Sequence, residues 1–121
     1  MEIKDAVVPL EALAQESRLG IFRLLVQAGP AGLPAGQIAD GMGLPAPTLS
    51  FHLTQLKHAG LVAYRREGRS LIYSADFGRM NALLEFLTLN CCGGDASQCF
   101  PVCAPPRLRT NARTNAKRRS A

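Results

Sequence analysis

The sequence of 121 residues lacks the long hydrophobic runs that membrane insertion and export require. No apolar stretch approaches the roughly 18 residues of a membrane span, and residues 1–5 lack the basic start and apolar stretch of a signal peptide. The sequence also lacks three arrangements that carry catalysis: a Cys/His or Ser/His/Asp group, a pair of carboxylates, and a glycine loop that cradles phosphate. These absences predict a cytoplasmic protein with no membrane partner and no enzyme activity.

The chain is short, and its charge is uneven. Its 47% hydrophobic and 19% charged residues are typical of a soluble globular protein, and a chain of this length folds as one domain with a real core. Residues 104–121 contain six basic side chains and no acidic one, whereas residues 1–103 contain 8 basic and 9 acidic side chains. The C-terminal tail is therefore the basic part, and we expect it to be either a flexible arm that attracts phosphates or a solubilising end.

Apolar residues recur at helical spacing in five segments. This spacing predicts helices over residues 5–15, 16–28, 34–42, 46–59 and 76–89. Pro9 is expected in the first turn of the first helix, and Ser17 is expected as the N-cap of the second. Gly60 is expected as the C′ residue that ends the fourth helix.

The pattern changes period after residue 60. Residues 61–66 and 70–74 are rich in residues that favour strands, and they flank Glu67, Gly68 and Arg69, which is typical of a hairpin with a glycine-containing turn. Two short helices joined by a glycine turn and followed by a hairpin describe a winged helix-turn-helix. The predicted fold is mainly α, with five helices and a two-stranded β-wing.

The helix over residues 46–59 has an apolar stripe and a polar face. Leu49, Leu53 and Leu56 form the stripe. Hydroxyl, amide, imidazole and cationic groups are the ones that contact base edges and phosphates. The candidate DNA contacts on this helix and on the hairpin are Thr48, Ser50, His52, Gln55, Lys57, Arg65, Arg66 and Arg69. The alternative interpretation is an ordinary solvated face, with His52 capping or packing instead.

Three stretches resemble the ArsR/SmtB family of winged-helix repressors. Residues 14–25 (AQESRLGIFRLL) are similar to the opening pattern of the family. Residues 47–62 (PTLSFHLTQLKHAGLV) resemble its P-T-V-S-x-H-L-x-x-L-x-x-A-G-L-V motif, and residues 65–73 (RREGRSLIY) resemble its wing. The similarity keeps one register over about residues 10–90. It implies a homodimer that binds double-stranded operator DNA and releases it when a metal or metalloid binds.

The resemblance also implies which helices form the homodimer. In the family, the segments that match residues 5–15 and 76–89 pair across the two-fold axis. Many relatives have Ser and Gln where this chain has Pro45 and Ala46. This departure removes one helix cap and one base contact, so the operator sequence does not carry over.

Two metal sites known in the family are absent from this sequence. Many arsenic-sensing relatives place C-V-C where this chain has residues 33–38, which contain no thiol. Other relatives bind zinc through Asp, His and Glu of the last helix, where this chain offers only Asp76 and Glu85 and no His.

All four cysteines lie close together, at Cys91, Cys92, Cys99 and Cys103. Thiolates select soft ions, and trivalent arsenic or antimony takes three sulfurs in a trigonal pyramid. The C-C-x6-C pattern resembles an arsenite site of a subset of the family, which makes Cys91, Cys92 and Cys99 the candidate ligands of As(III) or Sb(III). With Cys103 as a fourth ligand the set suits tetrahedral zinc or cadmium. A disulfide from Cys91 or Cys92 to Cys99 under oxidation is a third possibility.

The sequence therefore predicts a DNA-binding and dimerisation domain over residues 1–89, a cysteine-rich metalloid-binding segment over 90–103 and a basic flexible tail over 104–121. The predicted function is a transcriptional repressor that binds its operator as an apo dimer and is released by As(III) or Sb(III). The alternatives are a zinc-, cadmium- or redox-responsive repressor of the same family, and a thiol-rich metal-binding protein whose winged helix mediates protein contacts. Operator binding by the apo protein separates the last alternative from the others.

Overall fold

A computed structural model of the chain describes residues 1–94. The helices are α1 (Ile3–Leu13), α2 (Glu16–Ala28), α3 (Ala35–Met42), α4 (Ala46–His58) and α5 (Phe77–Leu87). The strands are β1 (Leu33–Pro34), β2 (Val62–Glu67) and β3 (Ser70–Ala75), and a short 3-10 turn covers Cys91–Gly94. The five helices and the β2–β3 hairpin confirm the winged helix-turn-helix. None of the helices within residues 1–94 has the length and apolar character needed to cross a membrane.

The core forms where three helices meet the base of the hairpin. Each helix contributes its apolar stripe, and the largest fully buried apolar side chains there are Ile21, Leu25, Ile38, Leu56 and Leu61. Truncating a side chain at such a position to Ala typically costs about 2–5 kcal/mol. Since Leu56 belongs to α4, the core holds one side of this helix and leaves the opposite side in solvent.

Pro9 lies inside α1 and not in its first turn, so that expectation was wrong. The helix begins earlier than predicted, because Glu2 and Asp5 form a capping box in which the Glu2 backbone N–H donates to Asp5 Oδ2 at 3.1 Å. Pro9 shares the buried face of α1 with Ala6 and Ala12. Packing of its ring in the interior compensates part of the cost of the helical hydrogen bond that proline cannot donate.

Residues next to the helices fix the start of α2 and the end of α4. The N-cap of α2 is Gln15, whose Oε1 accepts from the Arg18 backbone N–H at 2.8 Å, and not Ser17, which lies in the first turn. The expectation for Gly60 is confirmed. It follows the C-cap of α4 with φ +80°, and its N–H donates to the Lys57 carbonyl at 2.9 Å.

The sheet has one strand more than the sequence predicted. The strand order is β1-β3-β2, with both neighbours antiparallel to β3, and Leu33 of β1 pairs with Tyr73. Gly32 precedes β1 with φ +73°, and a Cβ at this position would overlap the carbonyl oxygen of Tyr73. The two-residue strand therefore joins the α2–α3 connection to the base of the wing.

Candidate nucleic-acid interface

The turn between α3 and α4 builds the helix-turn-helix. Gly43 takes the left-handed conformation at the end of α3, with φ 66° and ψ 33°, and the Leu44 N–H donates to the Ala39 carbonyl at 3.1 Å. The next helix starts without a side-chain cap, because Pro45 is the N-cap residue, as the departure from the family pattern indicated. The backbone N–H of Leu49 closes the first turn on the Pro45 carbonyl at 3.0 Å.

The outer face of α4 carries most of the predicted DNA contacts. Thr48, Ser50 and Lys57 are exposed, and Gln55 is half-buried. The Thr54 hydroxyl on the same face donates to the Ser50 carbonyl at 2.9 Å. The Lys57 ammonium lies 4.5 Å from the centre of the Tyr64 ring on β2, so that a cation–π contact holds it at the junction of helix and wing.

His52 lies on the inner face of α4. Its side chain is only 8% exposed, and its Nδ1 lies 3.3 Å from Nη1 of Arg18. A guanidinium can only donate, so Nδ1 accepts and the ring proton of the neutral imidazole sits on Nε2. Burial first, and the Arg18 charge second, lower the pKa of His52 below 6.5. In this position the imidazole has little surface to offer a base, which favours the packing interpretation of His52.

Arg18 is a residue that the sequence analysis did not single out. Besides its contact with His52, its Nε donates to the Ala12 carbonyl at 2.7 Å, near the end of α1. One guanidinium therefore connects α1, α2 and α4. The helical spacing offered a signal for the other half of this contact, because His52 falls between Leu49 and Leu56 on the buried stripe.

The three arginines of the wing are not equivalent. Arg65 Nε lies 2.7 Å from Glu67 Oε2, and its Nη2 donates to the Ala31 carbonyl at 3.1 Å. The Arg65–Glu67 contact is the one ion pair in the described part of the chain. Arg66 and Arg69 are exposed and free of ion pairs within residues 1–94. The latter two are available to phosphates, whereas Arg65 fastens the wing to the α2–α3 connection.

The chain divides into two units at Leu87, and Cys91 and Cys92 belong to the second of them. Cys91 is half-buried and disulfide-bonded, whereas the metalloid site predicted from the sequence needs it as a thiolate. Cys92 is a free, exposed thiol with a left-handed backbone at φ 58°. Cys99 and Cys103 lie outside the described residues. Within residues 1–94, no group of three or more His, Cys, Asp or Glu side chains is arranged to hold a metal ion.

A comparison with protein families matches residues 13–65 to a helix-turn-helix domain model. Among curated proteins, the transcriptional activator HlyU of Vibrio cholerae is 34% identical over 82 residues, which cover 68% of this chain and 73% of that protein. The residues that match the family model, 13–65, span the helix-turn-helix and the first residues of the wing. The expectation that the chain is not an enzyme agrees with relatives that regulate transcription.

Solved structures give the same result for the fold. The homodimeric winged helix-turn-helix DNA-binding domain of Mb0332 from Mycobacterium bovis, a possible ArsR-family regulator, has 32% identity and a TM-score of 0.58. The match covers 73% of this chain and 82% of that domain. The reduced form of HlyU has 32% identity and a TM-score of 0.57, covering 74% of this chain and 90% of that structure.

Proposed function

Because the chain belongs to the ArsR/SmtB family of winged-helix transcriptional regulators, we propose that it is a repressor that binds operator DNA as a homodimer. We further propose that As(III) or Sb(III) releases it by binding cysteine thiolates. The observation that carries the DNA-binding part is the exposed polar face of α4, the second helix of the helix-turn-helix. In proteins of this architecture that helix enters the major groove, where base edges are distinguished.

The contacts divide into two groups by their chemistry. Thr48, Ser50 and Gln55 carry the hydroxyl and amide groups that read base edges. Lys57, Arg66 and Arg69 carry the charges that neutralise phosphates, which make the larger and salt-dependent contribution to affinity. Two further residues act indirectly. His52 holds α4 through Arg18, and Arg65 holds the wing through Glu67 and Ala31.

The homodimer buries the outer face of α1. Ile3, Val7 and Leu10 fall at positions i, i+4 and i+7 of α1, and all three are large exposed apolar side chains, with Ile3 at 74%. Such a patch marks an interaction surface, and the related Mycobacterium bovis domain is homodimeric. A second copy of this chain is therefore the occupant that we propose for it.

Sedimentation equilibrium tests the dimer. Val7→Asp places a charge in the patch, and we expect the variant to sediment as a monomer because an unpaired charge is costly to bury. Leu19→Asp is the control, since Leu19 is similarly exposed but lies on α2. A dimeric Val7→Asp variant would remove the proposal that α1 forms the interface.

The inducer site that we propose consists of Cys91, Cys92 and Cys99, as thiolates. Cys92 is exposed and free to react, and it is followed by Gly93 and Gly94, both at positive φ. Cys91 lies four positions beyond the last residue of α5. When three cysteine sulfurs bind one As(III) or Sb(III) ion, the backbone directly after α5 loses conformational freedom. A coupling of about 1–3 kcal/mol between inducer and DNA changes affinity about 5–150-fold.

Fluorescence anisotropy tests the inducer. Protein reduced with a phosphine binds a labelled fragment from upstream of its own gene, and arsenite, antimonite, zinc and cadmium are titrated separately. We expect release by arsenite and antimonite, loss of that release in Cys91→Ser, and retention in Cys103→Ser. Release by zinc or cadmium that requires Cys103 would favour a four-thiolate site. Failure of the reduced protein to bind any DNA would favour the protein-contact alternative.

A redox-responsive repressor is the second candidate, and the disulfide at Cys91 favours it. A peroxide oxidises two thiols to one disulfide, and the two electrons and two protons released reduce hydrogen peroxide to two waters, or an organic hydroperoxide to an alcohol and one water. This candidate predicts that peroxide releases DNA, that a phosphine restores binding, and that arsenite has no effect on the reduced protein. Cys91→Ser abolishes release in both cases, so the response of the wild-type protein to arsenite distinguishes the two.

A further inference from the structure

Phe51 is the one large apolar side chain on the outer face of α4, and it is 57% exposed. Ser50 precedes it on the exposed surface, and Thr54 follows one turn later. The Phe51 ring lies 5.6 Å from the His52 ring at an interplanar angle of 60°. Because His52 is itself held by Arg18, the exposed ring rests on a side chain fixed in the interior.

An exposed phenyl ring forgoes the favourable free energy of burial that the same ring gains in a core or an interface. Ser50 and Thr54 are the exposed hydroxyl-bearing residues next to it on this helix, and the last turn of the same helix carries the basic residues Lys57 and His58. An exposed ring together with hydroxyls and basic side chains on one helix suits a negatively charged polymer that presents an apolar group among hydrogen-bonding groups. In the DNA major groove the apolar group is the C5-methyl of thymine, and Phe is among the side chains that contact it.

We propose that Phe51 is a specificity-determining residue that selects thymine at one position of each operator half-site by contacting its C5-methyl group. The inference rests on the proposed operator binding and adds to it the base that this helix prefers. It differs from the hydrogen-bonding contacts of Thr48, Ser50 and Gln55, because no donor or acceptor is involved. Uracil offers the same hydrogen-bonding edge as thymine and lacks only the methyl group, so it isolates this contact.

The test begins with selection of duplexes from a randomised pool by the reduced full-length protein. We expect one invariant thymine in each half-site. Replacing it by deoxyuridine should weaken binding about fourfold per half-site, the size expected for burial of a single methyl group. Phe51→Ala should bind the thymine and uracil duplexes equally. Phe51→Gln should shift the selected base from thymine towards adenine, because an amide binds adenine through two hydrogen bonds.

Leu19→Ala is the matched control, since Leu19 is a similarly exposed apolar residue outside α4. It should keep the preference for thymine over uracil. Selection of DNA by the wild-type protein without any thymine–uracil difference would overturn the role of Phe51 and leave the proposed DNA binding intact. The same holds if Phe51→Ala retains the wild-type difference. Failure to select any DNA would overturn both proposals.

Discussion

Nη1 of Arg18 lies 3.3 Å from Nδ1 of His52, across 34 positions of sequence. The same guanidinium donates through Nε to the Ala12 carbonyl at 2.7 Å. The helix that we propose to contact DNA is therefore linked to the C-terminal part of α1, the helix that we propose to form the dimer. Arg18 thus adds a polar link to the direct packing of α1 against α4.

Replacing Arg18 by Met should lower the free energy of unfolding by about 1–3 kcal/mol, because the Ala12 carbonyl and the His52 ring lose their donor in a partly buried place. Urea unfolding followed by circular dichroism measures this. Arg23→Met is the control, since Arg23 is an exposed residue of the same helix. Equal effects of the two substitutions would contradict the proposed link.

Stability should fall in mild acid because of His52. The pKa of His52 is below 6.5 in the folded protein, owing to burial and then to Arg18. The unfolded chain therefore binds more protons at this group than the folded one. The free energy of unfolding should be level above pH 6.5 and decrease as the pH falls through the folded-state pKa.

Urea titrations at a series of pH values between about 5 and 8 measure this dependence, in the range where histidine titrates. His52→Gln should flatten the curve, and His58→Gln, at an exposed position, should retain it. A wild-type stability independent of pH over this range would refute the assignment.

Glu67→Gln should strengthen DNA binding and increase its dependence on salt. The substitution removes an acid from the wing and frees Arg65 from its ion pair. If Arg65 then contacts a phosphate, the slope of log K against log salt steepens by about 0.9 per subunit. Arg66→Gln is the reciprocal variant and should make the slope shallower by about the same amount. Because the Arg65–Glu67 pair is exposed, neither should change stability by more than about 1 kcal/mol.

Gly32→Ala should destabilise the fold by more than about 3 kcal/mol, since left-handed strain adds to overlap with the Tyr73 carbonyl. Gly43→Ala is the matched control: its φ is +66°, and nothing lies within 4 Å of the added Cβ. It should cost only about 1–2 kcal/mol. Thermal unfolding compares the two. Similar costs for the two variants would contradict the close approach of Gly32 to the Tyr73 carbonyl.

The sequence predicted the elements whose patterns are long and regular. Between three and four turns of apolar spacing define α2 and α4, and the hairpin carries its own turn at Gly68. The short strand β1 carries no such pattern, because two residues cannot alternate and their pairing with β3 depends on tertiary contact. Residue propensity favours Ser17 as the N-cap of α2, whereas the side-chain amide of Gln15 takes this role.

The sequence predicts which residue types form the candidate site, but it predicts less well which of their side chains face the solvent. The polar face of α4 predicted Thr48 and Ser50 as exposed groups, and both are. The imidazole of His52 has the same hydrogen-bonding chemistry as these groups, but its spacing from Leu49 and Leu56 places it on the buried side of α4. The ion pair of Arg65 depends on Glu67 two positions later, and no charge count separates it from Arg66. The metalloid ligand set stays a prediction, since Cys99 and Cys103 lie outside the described residues.

The connection between α2 and α3 has the composition of a tolerant loop, with Gly29, Pro30 and Gly32 at the surface. Such loops are the usual places for tags, labels and inserted domains. Here Arg65 binds the Ala31 carbonyl, and Gly32 lies against the backbone of Tyr73. We expect a longer loop to tilt the wing, so a tag or label is better attached elsewhere. These contacts hold the loop against the wing, so we expect related proteins to keep its length.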